Sequence, residues 1–370
     1  MPDAPEVVVI IGAYRRREYL LRAVRSVLAQ NVDRARFEIL VTKDFLDPGI
    51  DTELARLGVA SIVDEDPRIG TWLGRAIRAT TAPLVAFLDD DDEFEPDRLA
   101  RVLQIFHDHP EIGFYRNRVR VIDAEDRPIP PDRWRGIETD SAFDTSGPVV
   151  FAGGSAAGLV PFALRTTRAT FNSSTMVLRR SLLVGPWCEL FARTQLPDLT
   201  LFLAAALGPQ GLFFDDRRLT RYRFYGGNVT HQTGWLAEAA RSRLEAAELA
   251  RSLGRSELET WLSAEGVHYE RLYRAATVLD RIDRAAPRRD VARGSAEYLR
   301  FLWRHPDERA SRLEVWVAAA FGVAYCVAPG LTRRARAARL HSTATGARPP
   351  AGPGPTSPAS PGPRGRGAGE

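Results

Sequence analysis

FLDDDDEFEPDRL, Phe87 to Leu99, is the stretch that decides how the chain is read. It closes an apolar run, LVAFL from Leu84 to Leu88, on four consecutive aspartates, and Glu93 and Glu95 follow before any basic residue arrives. Adjacent carboxylates repel one another, so the run needs a compensating partner, whereas a helix N-cap uses only one of them. In an extended backbone alternate side chains share a face, which aims Asp89 and Asp91 at one divalent cation, with Asp92 as a neighbouring candidate. Oxygen donors suit Mg²⁺ or Mn²⁺, ions that in turn neutralise phosphates. The plain alternative is a solvated acidic turn ahead of a helix that begins near Pro96 and carries Leu99, Val102, Leu103 and Phe106 at helical spacing.

Upstream of this run, short apolar stretches alternate with helical ones: VVVII (Val7 to Ile11), Tyr19 to Leu28, FEILV (Phe37 to Val41), then Leu73 to Ala79. Continuously apolar strands in a β/α alternation predict an α/β fold, a mostly parallel central sheet with helices on both faces, whose ligands gather at the carboxyl ends of the strands. Downstream, Pro128 to Gly158 reads as a loop over the site with a short strand at Pro148 to Phe151. STMVL (Ser174 to Leu178), a helix through Leu199 to Leu207 and LFF (Leu212 to Phe214) complete the sheet. The spacing then changes to long amphipathic helices over 235–305. The boundaries expected are therefore a catalytic domain over 1–234, a helical module over 235–341 and a disordered Pro/Gly-rich tail over 342–370.

The 370 residues carry a formal net charge of +4, nearly all of the basic charge being arginine and much of it in the C-terminal third. No recognition-helix, zinc-finger or RNP-like pattern accompanies it, so no nucleic-acid partner is expected. Cys188 and Cys326 are the only cysteines and have neither disulfide-framework nor metal-ligand spacing. The start lacks the basic region and cleavage site of a signal peptide, which predicts a cytoplasmic chain that begins at Met1. Val315 to Ala328 is apolar but shorter than the roughly 18 residues a membrane span needs, and Arg333, Arg334, Arg336 and Arg339 follow it. A buried helix and peripheral contact of 315–339 with the inner face of an anionic membrane are the two readings.

With the acidic run in place, the sequence resembles the family 2 glycosyltransferases over about residues 5 to 230. VVVIIGAYRRREYLLRAVRSVLAQ (Val7 to Gln30) is similar to the family's opening strand, nucleotide loop and first helix, with Tyr14 matching the loop tyrosine. FEILVTKDF (Phe37 to Phe45) places Asp44 where the family brings a carboxylate to base and ribose. Asp64, Asp66 and Gly70 stand near the family's acidic residue and glycine, and Leu73-Gly74-Arg75-Ala76 is a reduced form of its Ala-Arg-Asn motif. QLPDLTLFLAAAL (Gln195 to Leu207) is similar to its Glu-Asp-x-x-Leu motif. LTRYRFYGGNVTH (Leu219 to His231) matches its ending at Tyr222, Arg223, Asn228 and Thr230, with Tyr225 where many members have a metal-binding histidine. The cation is then held by carboxylates, diphosphate and water alone, which a hard cation allows, or His231 reaches back, or metal binding is weakened, and the first is the reading preferred.

The resemblance implies a GT-A fold and inverting transfer of a sugar from a nucleoside diphosphate to an acceptor hydroxyl, of the hexosyltransferase type. It implies Gly12, Ala13, Tyr14, Asp44, Gly70, Asp89 and Asp90 as donor-binding residues, Asp89 and Asp91 as metal ligands and Asp198 as general base. A sugar hydroxyl is a poor nucleophile until its proton leaves, which is why a base is needed; the plain reading of Asp198 is a cap on the helix near Leu199. The acceptor, a glycan, a lipid-linked group or a protein, is expected near Asn172 to Thr175, in polysaccharide, glycolipid or glycoprotein synthesis, cell-envelope polysaccharide among them. The rivals are a nucleotidyltransferase, which should carry a Gly-rich, Lys-containing phosphate loop that GAYRRRE is not, and a catalytically silent module that binds a glycan or partner.

Overall fold

The structure is a computed structural model, and it describes residues 4–14, 16–130, 147–153, 170, 172–185, 187–225, 233–305 and 312–344. Arg15, residues 154–158 of the loop, Asn228, Thr230, His231 and the tail from 345 lie outside the described residues. The chain forms two compact units, 1–274 and 275–370.

In the first unit, β1 (Val7–Ala13), β2 (Phe37–Lys43), β3 (Ala60–Val63) and β4 (Leu84–Asp89) form a parallel half-sheet in the order β3-β2-β1-β4. The remaining strands are β5 (Glu93–Phe94), β6 (Ile112–Ile122), β7 (Val149–Phe151), β8 (Met176–Arg179) and β9 (Gly211–Arg223). The sheet continues β4-β8-β6-β9-β5, with β7 also on β9; β8 is antiparallel to both β4 and β6, and β6 and β9 run parallel to each other.

The unbroken apolar runs are explained by two cores. Val8, Ile10, Val85 and Phe87 join one cluster with Trp72 and Leu73 of α3 (Ile69–Arg78). Val7, Val9, Ile11, Leu84, Ala86 and Leu88 join the other, with Leu20, Val24 and Val27 of α1 (Leu20–Leu28). Alternate residues of one strand thus enter opposite layers, each fully buried side chain stabilising the fold by roughly 1.5–3 kcal/mol.

Of the other helices, α2 (Pro48–Arg56) follows β2, and α4 (Arg98–Asp108) follows the acidic run. Pro96 lies two residues ahead of α4 instead of at its first position, its carbonyl accepting from Asn31 N at 2.9 Å. Next come α5 (Trp187–Phe191), α6 (Pro197–Leu207), α7 (Thr233–Ser252) and α8 (Ser256–Asp283). The second unit holds the end of α8, α9 (Arg288–Arg304), α10 (Arg312–Val327) and α11 (Pro329–Ala344). Val278, Ile282, Val291 and Tyr298 pack there with Ala318, Ala319 and Tyr325 of α10. The opposite face of α10 is bare: Val323 and Val327 are 55% and 79% exposed.

Candidate active site

The carboxyl ends of β1, β2 and β4 lie side by side. Gly12 pairs with Asp89, Asp90 N donates to the Gly12 carbonyl at 3.2 Å, and Asp44 N donates to the Ala13 carbonyl at 3.3 Å. A cavity of about 130 Å³ opens at this edge. Gly12, Tyr14, Asp89 and Asp91 line it from the strand side and Asp198 from α6; Trp72 and Trp235 contribute apolar walls. Gly12 has a packing reason for lacking a side chain, since a Cβ there would stand 3.2 Å from the Trp72 ring.

The acidic run is divided by its partners. Asp92 is buried: its Oδ1 accepts from Arg223 N at 3.0 Å, and its Oδ2 accepts from Ser174 Oγ at 2.7 Å and Asn172 Nδ2 at 2.8 Å. Burial first, then Asp91 beside it, push its carboxyl up to about 7 despite those donors. Arg223 is fully buried; its Nε donates to the Asp91 carbonyl at 2.9 Å, its Nη2 to Glu93 Oε1 at 2.7 Å, and its guanidinium lies 4.4 Å from the Tyr19 ring centre. Asp89 accepts at Oδ1 from Ser173 Oγ at 3.0 Å. Its carboxyl is held well above the ordinary range by burial, then by Asp92, Asp198 and Asp91.

Arg16, in the loop after β1, reaches both remaining members, with Nη2 donating to Asp90 Oδ1 and Nη1 to Asp91 Oδ2. Burial works against its charge, but Asp90, Asp91 and Tyr225 outweigh burial and raise its pKa. Tyr225 also hydrogen-bonds Asp91, and burial with the Asp91 charge moves its hydroxyl up to about 12.

Asp198 is the second residue of α6, inside the first turn, and its Oδ2 accepts from Asn172 N at 3.0 Å. Burial raises its pKa against donors from Asn172 and Ser173. Asn172 therefore ties Asp198 to Asp92 through one residue, in a left-handed backbone conformation (φ 65°) that asparagine tolerates. The sequence reading placed Ser173 and Ser174 only near the acceptor and missed that their hydroxyls brace the acidic run; one clue was four polar residues, Asn172 to Thr175, directly ahead of an apolar strand.

The other residues singled out by sequence lie around this centre. Tyr14 is on the cavity wall and Ala13 is wholly buried in the core. Asp44 sits half-buried at the end of β2. Asp64 is buried against Arg75, and Asp66 pairs with Arg68 at 2.9 Å. Gly70 packs on α5, where a Cβ would fall 1.6 Å from the Phe191 carbonyl oxygen. Asp90 is buried and turned to Arg16, and Tyr222 lines the cavity.

The carboxylates fit a hard cation. Asp89, Asp91 and Asp92 each offer an oxygen within 4.8 Å of the others, and Asp89 and Asp91 face the cavity. Asp92 already accepts three hydrogen bonds, which makes it a brace for the other two.

The chain is similar to known proteins over part of its length. Residues 8–167 match the profile of glycosyl transferase family 2. An uncharacterized glycosyltransferase of Nostoc sp. is 31% identical over 130 residues, 34% of this chain and 39% of the relative. One from Haemophilus influenzae is 25% identical over 108 residues, 29% of this chain and 36% of the relative. The chain thus spans about two fifths of the length of the curated relatives it matches. Among solved structures, residues 1–349 of S. aureus TarS superpose with a TM-score of 0.52 at 14% identity, covering 92% of each chain, a likeness of fold.

Proposed function

We propose that this chain, which carries a glycosyl transferase family 2 domain, moves a sugar from a nucleoside-diphosphate sugar to an acceptor hydroxyl with inversion. The observation that carries the reading is the meeting of Asp198 with Asp89 and Asp91 on one cavity at the carboxyl edge of a parallel half-sheet. Tyr14 offers a ring for the base, and the end of β2 offers Asp44 to the ribose. Asp89 and Asp91 would hold a divalent ion, Mg²⁺ or Mn²⁺, whose chemistry is to neutralise the departing diphosphate.

Asp198 supplies the base. Burial raises its pKa and makes it a stronger proton acceptor, while the hydrogen bond from Asn172 fixes its Oδ2. Its remaining oxygen then takes the acceptor proton as the hydroxyl attacks the anomeric carbon. A single displacement from the face opposite the diphosphate inverts that carbon. The acceptor class proposed is a carbohydrate hydroxyl on a glycan, lipid or protein, entering past Trp235. The test is transfer from a donor panel with Mn²⁺, read as the anomeric configuration of the product; turnover of none of the donors would overturn the reading.

For the second unit we propose contact with an anionic membrane surface. Among the described residues no helix is long and apolar enough to cross a membrane. Along α10 and into α11, Val323, Val327 and Leu331 are exposed, Leu331 at 68%, and the exposed Arg333 and Arg334 follow. Apolar side chains with adjacent arginines are what an anionic lipid interface attracts. Val327→Glu with Leu331→Glu should abolish co-sedimentation with phosphatidylserine vesicles, and unchanged sedimentation would sink the idea.

A further inference from the structure

Two features of Arg16 set it apart from an ordinary ion-pair partner. Its fork spans Asp90 and Asp91, and it also lines the cavity between Tyr14 and the acidic run. The pairing is incomplete, since Arg16 Nε and Asp90 Oδ2 are buried without a hydrogen-bond partner. Arg223 stands in contrast: its backbone N, Nε and Nη2 donate to Asp92, the Asp91 carbonyl and Glu93, and its Nη1 to the Asp123 carbonyl. With Tyr225 also on Asp91, this carboxylate faces two donors before any external ion reaches it.

We propose that Arg16 is a resident cation that a divalent ion must displace from Asp91, so that it sets the metal affinity of the free chain and, once displaced, pairs with the donor's diphosphate. The inference rests on the metal and diphosphate roles given above. A guanidinium and a divalent ion on one carboxylate repel each other strongly in a poorly solvated site. Arg16 sits on the loop between β1 and α1, at the strand edge where phosphates are bound, and its planar fork matches phosphate oxygens. Metal and diphosphate therefore arrive together: the diphosphate gives Arg16 a new partner, and Arg16 leaves Asp91 to the ion. Coupling of this kind commonly amounts to about 5–150-fold in affinity.

The experiment is Mn²⁺ titration of the full chain without nucleotide, read from the electron paramagnetic resonance signal of free Mn²⁺, alongside calorimetry with uridine and guanosine diphosphate. Arg16→Gln should bind Mn²⁺ at least about tenfold more tightly than wild type and the preferred diphosphate about tenfold less tightly. Adding Asp91→Asn should erase the Mn²⁺ gain. Unchanged Mn²⁺ affinity in folded Arg16→Gln, or a gain that persists with Asp91→Asn, would overturn the proposal. Arg16→Lys keeps a charge but cannot span both carboxylates; should the Gln variant fail to fold, a gain of about threefold with Lys supports the proposal and none overturns it. Unaltered Mn²⁺ affinity with diphosphate binding intact removes only the role of Arg16, whereas wild type that binds neither diphosphate tells against the glycosyl-transfer reading itself.

Discussion

Arg223 and Arg16 approach the same acidic run from opposite sides and are built differently. Arg223 comes from the end of β9, is fully buried, and bonds two backbone carbonyls and the Asp91 carbonyl besides Glu93. Arg16 comes from a loop, keeps 23% of its side chain exposed and, among the described residues, hydrogen-bonds the carboxylates of Asp90 and Asp91 and the Tyr225 hydroxyl. A cation held through backbone carbonyls cannot leave without unfolding its surroundings; one held through carboxylates alone can be exchanged for another. The contrast separates the run into a framework half, Asp92 and Glu93, and a working half, Asp89 and Asp91.

The largest effect expected from that division falls on the working side. Asp198→Asn is nearly isosteric and should leave diphosphate binding near wild type while transfer falls by about 10²–10⁴-fold, a lesion in kcat. Full transfer in that variant would return Asp198 to the role of a first-turn helix residue. On the framework side, Arg223→Met should cost about 3–5 kcal/mol of stability in denaturant unfolding, because Glu93 would keep buried charge without its partner and the Asp91, Asp123 and Ala124 carbonyls would lose their donor. If it unfolds no more easily than Arg16→Gln, the two arginines are equivalent and the division fails.

These partners also explain which parts of the molecule could be read from sequence. β1, β2 and β4 were legible because both faces are buried and the apolar run is unbroken. β6 was not: Arg116 and Asn117 look like surface residues, yet both are buried in its middle, Asn117 accepting from Arg98 Nε at 2.9 Å and donating to Thr220 Oγ1 at 3.0 Å. Local sequence carries no sign of partners a hundred residues away. β9 was reduced to LFF for the same reason, because Asp215 is buried against Arg101 and Tyr115. β3, an edge strand of four mostly exposed residues, ASIV, was too short for its apolar residues to stand out as a strand. At the site, the acidic run stood out by its charge density, whereas the reach of Arg16 across 74 positions to Asp90 exists only in the fold.

A closer comparison lies within the run itself. Asp91→Asn should weaken Mn²⁺-dependent diphosphate binding by roughly tenfold or more while leaving stability nearly unchanged. Asp92→Asn should do the opposite: it places an amide opposite the donors of Asn172 and Ser174 and should cost about 1–3 kcal/mol of stability. Equal metal phenotypes for the two variants would make Asp92 a ligand and not a brace.

The smallest effect is one of pH, and its sign follows from the direction of the shifts. Burial, then Asp91, raises the Asp92 carboxyl to about 7, against roughly 3.9 for an unfolded aspartate. Between those values the folded chain keeps a proton that the unfolded chain has released, so this contribution to stability is fully present below about pH 4 and lost as pH rises through 7. Asp89, Asp90, Asp91 and Asp198 are shifted in the same direction, so they add to the slope. Glu53 acts oppositely: Arg56 and Arg25 lower it to about 2, so its window ends below that of Asp92. Melting temperature should therefore fall gently from pH 5 to 7. Mn²⁺ competes with those same protons, so its stabilising effect should grow over the interval. Asp92→Asn removes one titrating group and should flatten the profile without abolishing the Mn²⁺ response. A variant whose slope matches wild type would show that the Asp92 carboxyl is already ionised across this range, and that the donors from Arg223, Asn172 and Ser174 outweigh its burial.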